Sequence, residues 1–393
     1  MSSDTGSAVV RAQGLTRLLQ GGMAVAIITT LAACGGKADS SVDSAGARMN
    51  STVGTASSDT SASDTTAKEG VPGTADTQMQ AVLDQHAKLG PKPLETLTPV
   101  EARKQPTPAD AVGALLIAQG KDTAAKVLVP GITSVDRTIR GAVGNIPARI
   151  YTPDGTGPFP VIVYYHGGGW VIGSKAVYDG GARGLAKAAN AVVISVDYRL
   201  APEAKFPAQH DDALAAYRWA ISNAASIKGD ASKIALAGES AGGNLALATA
   251  IGARDAKLQK PVAVISVYPI AQPDTTTSSY NVYATAKPLS RTMMSWFAKQ
   301  TVRTPADLQD PRINLVKANL RDLPPVTIIS AQIDVLLEDG AMLERALREA
   351  GVAVERRVYE GVTHEFFGMA AVEDKAKDAQ QYAGQRLNAA FGK

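Results

Sequence analysis

The sequence predicts an α/β fold built on a mainly parallel sheet with helices packed on both faces. Short, nearly continuous apolar runs recur along the chain, amphipathic segments of helical spacing lie between most of them, and 45% of the 393 residues are apolar. Runs that are apolar at every position belong to strands buried on both faces, and parallel strands of that kind need helical crossovers. A chain of this length buries a large core easily. The formal net charge of +3 is too small to argue for a polyanionic partner and no basic stripe is visible, so nucleic acid is not an expected partner.

In chain order, Arg11 and Arg17 form a basic start, and an apolar stretch interrupted by Gln20 runs from Leu18 to Ala33. The stretch is shorter than the ~20 residues a membrane-spanning helix needs, but it suits the hydrophobic region of a signal peptide. It ends in Leu31-Ala32-Ala33-Cys34, which resembles a bacterial lipobox. That resemblance implies cleavage before Cys34, a diacylglycerol on its thiol, and a bacterial cell-envelope location in which the membrane is a partner. Cys34 is the single cysteine, so the fold has no internal disulfide. Residues 1–33 are therefore read as a lipoprotein signal. Residues 34–78 are read as a disordered tether, because Gly35 to Gln78 is rich in Ser, Thr, Asp, Ala and Gly and holds no aromatic, Leu or Ile.

Apolar periodicity begins at Met79. Helices are expected at Met79–Leu89 and Ala109–Ala118, with a Pro-rich connection between them, inside an N-terminal cap segment 79–130. Ser134–Arg140 and Ile146–Tyr151 form a hairpin pair at one sheet edge. The buried strands are Val161–Tyr165, Val192–Val196, Ile234–Ala237, Val262–Val267, Val326–Ser330 and Val354–Tyr359, which makes about eight in all. Helices are expected at Ala208–Asn223, Ala241–Arg254, Ala341–Ala350 and Val372–Phe391. The connection from Tyr268 to Pro324 is too long for a simple crossover. It carries a helical stretch Arg291–Thr301 and is read as a lid-forming insertion 271–323 within a main domain 131–393.

Gly238-Glu239-Ser240-Ala241-Gly242 fits the G-x-S-x-G nucleophile elbow, with a strand entering and a helix leaving. A serine hydroxyl needs a base within hydrogen-bond reach, and the chain has four histidines. His86 precedes the sheet, and His166 opens a glycine run. His210 heads a helix beside Asp211 and Asp212, a trio without metal-ligand spacing, so no metal is expected there. His364 remains, in a loop after the last strand. The third partner is Asp334, after the penultimate strand; its competitors Glu338 and Asp339 fit the acidic first turn of the next helix. Chain order is then Ser, Asp, His, as this elbow requires. His166-Gly167-Gly168-Gly169-Trp170 follows a strand. Its glycines let the N–H groups of Gly168 and Gly169 join that of Ala241 around a developing oxyanion. The phosphate-loop reading fails because G-x-x-x-x-G-K-[ST] is absent. Trp170 is a candidate for the substrate pocket. Met293, Trp296 and Phe297, at helical spacing, are read first as a packing face and second as an acyl pocket.

Together, His166–Trp170, Asp197–Glu203, Gly238–Asn244, Asp310-Pro311-Arg312, Leu323-Pro324-Pro325 and His364 resemble the hormone-sensitive-lipase family of bacterial carboxylesterases, over roughly Met79 to Phe391. The resemblance implies the α/β-hydrolase fold, with a cap made from the N-terminal helices and the long insertion. It also implies hydrolysis of short-to-medium acyl esters without a cofactor, and a structural role for the Asp197–Glu203 turn. Glu239 stands where many relatives have Asp, and Glu338-Asp339 reverses the commoner order. Two rival readings share the scaffold. An amidase or peptidase is one. The other is a ligand-binding module like the plant gibberellin receptors, which resemble this family but lack the catalytic histidine; here His364 is present.

Overall fold

The structure, a computed structural model, describes residues 72–393. The expected signal peptide, Cys34 and the tether as far as residue 71 lie outside the described residues. Among the described residues, no helix is long and apolar enough to cross a membrane.

Eight strands form one sheet: β1 (Ile132–Arg140), β2 (Asn145–Pro153), β3 (Phe159–Tyr165), β4 (Val192–Val196), β5 (Gly229–Glu239), β6 (Val264–Val267), β7 (Val326–Ile333) and β8 (Val354–Thr363). Their spatial order is β1-β2-β4-β3-β5-β6-β7-β8. β1–β2 and β2–β4 are antiparallel, and every pairing from β4 onward is parallel. The burial patterns explain the difference. Every residue of β3, β4 and β6 is buried, as parallel strands covered on both faces require, whereas β1 is mostly exposed at its edge.

Two core layers flank the sheet. One gathers Val163, Ile194, Leu236, Leu245 and Leu343 with the insertion residues Trp296 and Phe297. The other gathers Ile162, Tyr164, Leu185, Phe366 and Leu387 with Met79 and Leu116 from the N-terminal helices. The alternation of neighbouring residues between the layers follows from the two-residue repeat of a strand.

The structure corrects one boundary and adds one helix. The first helix spans Thr77–Lys88 and is capped by Asp76, whose side chain accepts from the Met79 N–H at 2.9 Å. Asp76 also donates its N–H to the Gly361 carbonyl at 2.9 Å and pairs with Lys375 at 2.7 Å. The end of the expected tether therefore belongs to the body, because capping and ion pairing hold polar residues that have no apolar side chain to bury. The added, unforeseen helix is Asp179–Ala189. Its three glycines weaken helix propensity. At Gly180, however, an added Cβ would collide with the Gly368 backbone carbonyl, which demands glycine there, and at Gly184 it would press on the Gln380 side chain of the C-terminal helix Asp374–Phe391.

Candidate active site

The C-terminal ends of β3, β5, β7 and β8 meet along one edge of the sheet, and each delivers a piece of the site. Ser240 sits between β5 and the helix Ala241–Asp255 with φ +57° and ψ −118°, a strained geometry for a non-glycine residue. The bend leaves no room beside it. An added Cβ on Gly242 would approach the Tyr165 carbonyl at 1.9 Å, and one on Gly238 would approach the Gly242 carbonyl at 2.1 Å. The serine itself is pinned by its N–H, which donates to the Val267 carbonyl at 2.8 Å.

The structure brings Ser240, His364 and Asp334 into line. Ser240 Oγ lies 2.9 Å from His364 Nε2, and His364 Nδ1 lies 2.6 Å from Asp334 Oδ2. Asp334 Oδ1 accepts the Leu336 N–H at 2.9 Å, which fixes the carboxylate plane. All three side chains are buried. Burial by itself pushes the imidazole pKa down. The charge and hydrogen bond of Asp334, with Glu365 and Glu239 nearby, outweigh it and hold the pKa above the ordinary histidine value. The serine hydroxyl thus faces a base whose tautomer is set by an acceptor on its far side.

Beside Ser240 lie Gly168 (φ +95°) and Gly169 (φ +59°). Among the described residues, their N–H groups donate to no protein acceptor. Ala241, the first residue of its helix, has an N–H with no acceptor within the helix. The loop is held from two sides. The Thr301 hydroxyl of the insertion donates to the Gly169 carbonyl at 3.2 Å, and the Tyr198 hydroxyl donates to the His166 carbonyl at 2.8 Å.

Tyr198 belongs to the Asp197–Glu203 turn, and the charges of that turn are all engaged. Asp197 pairs with Lys175 at 2.7 Å, Arg199 with buried Asp212 at 2.7 Å, and Glu203 with Arg103 at 2.7 Å. Arg103 also donates to the Val171 and Ala201 carbonyls, so it ties the N-terminal segment to the oxyanion side of the site.

Ser240, His364, Gly168 and Gly169 open onto a cavity of about 560 Å3. The N-terminal helices contribute Leu83 and His86 to its wall, and the insertion contributes Leu289, Met293 and Phe297. Met293 and Phe297 therefore face the cavity. Trp296 instead packs edge-on against Phe297, with its indole N–H donating to the Leu97 carbonyl at 3.2 Å. Trp170, expected at the pocket, does not line the cavity. It is 4% exposed and lies against His210, with ring centroids 5.9 Å apart. The positive φ of Trp170 (62°) turns its side chain away from the glycines that precede it.

His210 is a neutral core group. Burial pushes its pKa down to about 4, and its Nε2 sits 3.0 Å from Asn244 Oδ1. Asp339 does more than its place in a helix first turn implied. It is fully buried and accepts the Ala271 and Gln272 N–H groups at 2.9 and 3.3 Å, and burial pushes its pKa up to about 7. Glu338 accepts the Ser279 N–H at 2.8 Å. This acidic pair thus anchors the root of the insertion, and neither residue reaches His364.

Residues 162–368 match the family model described as the alpha/beta hydrolase fold. The chain belongs to the α/β-hydrolase family. The hydrolase is 37% identical over 258 residues to carboxylesterase NlhH of Mycobacterium tuberculosis, covering 64% of this chain and 81% of that one. It is 35% identical over 240 residues to an ethyl acetate hydrolase of Pseudomonas putida, covering 60% and 75%. Among solved structures, a hyperthermophilic esterase of Pyrobaculum calidifontis superposes with a TM-score of 0.72 at 32% identity, covering 81% of this chain and 99% of that one. The hydrolase is accordingly a carboxylic ester hydrolase.

One group in the site had escaped notice in the sequence. Glu365 lines the cavity beside His364, and its Oε1 accepts the Tyr178 hydroxyl at 2.6 Å. A carboxylate adjacent to a histidine in sequence carries no signal of its own; only the backbone at φ +73° turns this one into the cavity.

Proposed function

We propose that the chain is a serine carboxylesterase that cleaves short-to-medium acyl esters through an acyl-enzyme on Ser240. The observation that carries the reading is the unbroken Ser240–His364–Asp334 line, opening on a cavity beside the Gly168 and Gly169 N–H groups. His364 takes the Ser240 proton as the oxygen attacks the ester carbonyl, and Asp334 holds the imidazolium that forms. The N–H groups of Gly168, Gly169 and Ala241 receive the oxyanion, and one such donor is worth about 3 kcal/mol of barrier. His364 then protonates the departing alcohol. In the second half, water attacks the acyl group with the same base and the same donors, and Ser240 recovers its proton. The residues used are all side chains and backbone groups of this chain, with no step through a cofactor or metal.

The preference for modest acyl chains is supported by the cavity volume of about 560 Å3 and by the bulk of Phe297, set over Gly169. A series of p-nitrophenyl esters of increasing acyl length, run beside matched aryl amides, tests the assignment. Turnover is expected to be highest for the shorter esters and to fall as the chain outgrows the cavity, with amides far slower. Amide turnover equal to ester turnover would favour the amidase reading. Binding without turnover would favour a ligand-binding module.

The second part of the proposal is the lipid anchor, a reading that rests on Leu31-Ala32-Ala33-Cys34 and the apolar stretch before it. Cys34→Ala is expected to release the protein from the membrane fraction. A processed Cys34→Ala protein that still sedimented with membranes would remove the anchor from the proposal.

A further inference from the structure

Two carboxyl side chains flank the site, each the chain neighbour of a residue in the hydrogen-bonded line: Glu239 before Ser240 and Glu365 after His364. Neither belongs to the chemistry described above, and their surroundings differ. Glu239 is 1% exposed and accepts the hydroxyls of Tyr164 and Tyr268 on its two oxygens. Glu365 lines the cavity with Ser240 and His364, and it also borders a second cavity of about 680 Å3 beyond Tyr178.

Tyr178 links Glu365 to the oxyanion loop. Its hydroxyl donates to Glu365 Oε1 at 2.6 Å and packs under Gly167, where an added Cβ would meet it at 2.5 Å. On the other side, the Tyr268 ring stands 4.5 Å from the His364 ring.

We propose that Glu365 is a positioning residue for the ester-hydrolysis reaction, whose carboxylate stabilises the cationic form of His364 and whose bond to Tyr178 braces the oxyanion loop. The inference rests on His364 acting as the base. Two negative charges cannot both persist in this enclosure at little cost, and the structure divides the roles between them. Glu239 borders only the second cavity and does not line the one that holds Ser240 and His364. It keeps its proton at neutral pH, because burial and then the charge of Glu365, working against the Tyr164 and Tyr268 hydroxyls, push its pKa up to about 8. Glu365 is the member that faces the cavity and stands beside the imidazole. Burial holds its pKa above the usual carboxylate value as well, and the His364 charge and the Tyr178 hydroxyl work against that rise, so the carboxylate forms together with the imidazolium. The other groups around the two are Asp334 from the β7 loop and His86 from the N-terminal helix, the latter favouring the carboxylate. Asp334 orients the ring and neutralises most of the imidazolium; Glu365 adds a second negative charge from the cavity side.

The sign of the test follows from linkage. A negative charge near His364 raises the pH at which the base is lost to protonation, and removing that charge lowers it. Glu365→Gln keeps an acceptor for Tyr178 and removes only the charge. The acid limb of the kcat/KM profile is therefore expected to move to lower pH, while the maximum falls and KM on a short ester changes little. Activity at about pH 5.5 relative to about pH 8 should rise about threefold or more over wild type, as expected for loss of one nearby charge. Glu365→Asp should restore the limb toward its original position, and Glu239→Gln should move the limb less than Glu365→Gln does, because Glu239 is the lesser influence on His364.

A Glu365→Gln protein with wild-type melting temperature and an unmoved limb would overturn the proposal, as would a limb that moved for Glu239→Gln instead. A purely structural role would lower activity and stability without moving the limb, and that also overturns it. Failure of the underlying assignment looks different, because Ser240→Ala or His364→Ala would then keep turning over esters.

Discussion

Ser240→Ala is expected to lower kcat on a p-nitrophenyl ester by about a millionfold while leaving the fold intact, because serine hydrolases lose about that much when the nucleophile is removed. The residual rate comes from the Gly168, Gly169 and Ala241 N–H groups and from binding in the cavity, which still favour the tetrahedral species over water alone. The fold should tolerate the change. Alanine fits the volume of serine, and the strained φ of +57° is imposed by the Gly238 and Gly242 contacts and the Val267 hydrogen bond, none of which involves the hydroxyl. The measurement is steady-state kinetics with a thermal melt on the same sample. Near-normal turnover by Ser240→Ala would rule out the acyl-enzyme assignment.

Asp334→Asn should cost about ten-thousandfold in kcat, with little change in KM. The substitution is nearly isosteric, so the Leu336 N–H bond at 2.9 Å can persist through the amide oxygen. What changes is the partner offered to His364 Nδ1, which lies 2.6 Å from Asp334 Oδ2. An amide NH2 turned to that nitrogen stabilises the tautomer whose proton sits on Nε2, facing Ser240, and such a ring cannot accept the serine proton. The charge that offsets burial of the imidazolium is also lost, so the acid limb of the pH profile should shift downward along with the rate. A ten-thousandfold loss without that shift would mean that Asp334 acts by orientation alone.

Much of the fold was legible because burial leaves a mark on residue type. Val192–Val196 and Ala208–Asn223 were bounded correctly from apolar pattern alone. Most other strands grew outward in the structure, since hydrogen-bonded pairing continues past the last apolar residue: β5 begins at Gly229 and β8 runs on to Thr363, whereas β6, expected from Val262, begins at Val264. The helix Asp179–Ala189 was not legible. Its glycines lie against the Gly368 backbone, the carboxyl of Glu239 and the amide of Gln380, partners distant in sequence that no local pattern reveals.

The same division runs through the site. Local sequence was enough for the elbow, because a turn this tight admits only glycine at Gly238 and Gly242, and that demand acts over five consecutive residues. It also pointed to His364 and Asp334, since few residues of the right chemistry follow the right strands, and the structure sets both in hydrogen-bond line with Ser240. Tertiary structure alone decided that Met293 and Phe297 face the cavity while Trp170 turns toward His210, and that Asp339 anchors the insertion. It alone brought Glu365 to the wall beside the imidazole. Backbone constraints and strand burial are local and leave their record in neighbouring residues. The direction of a side chain at a loop or cap depends on how separate elements pack, and that is settled only when the chain closes on itself.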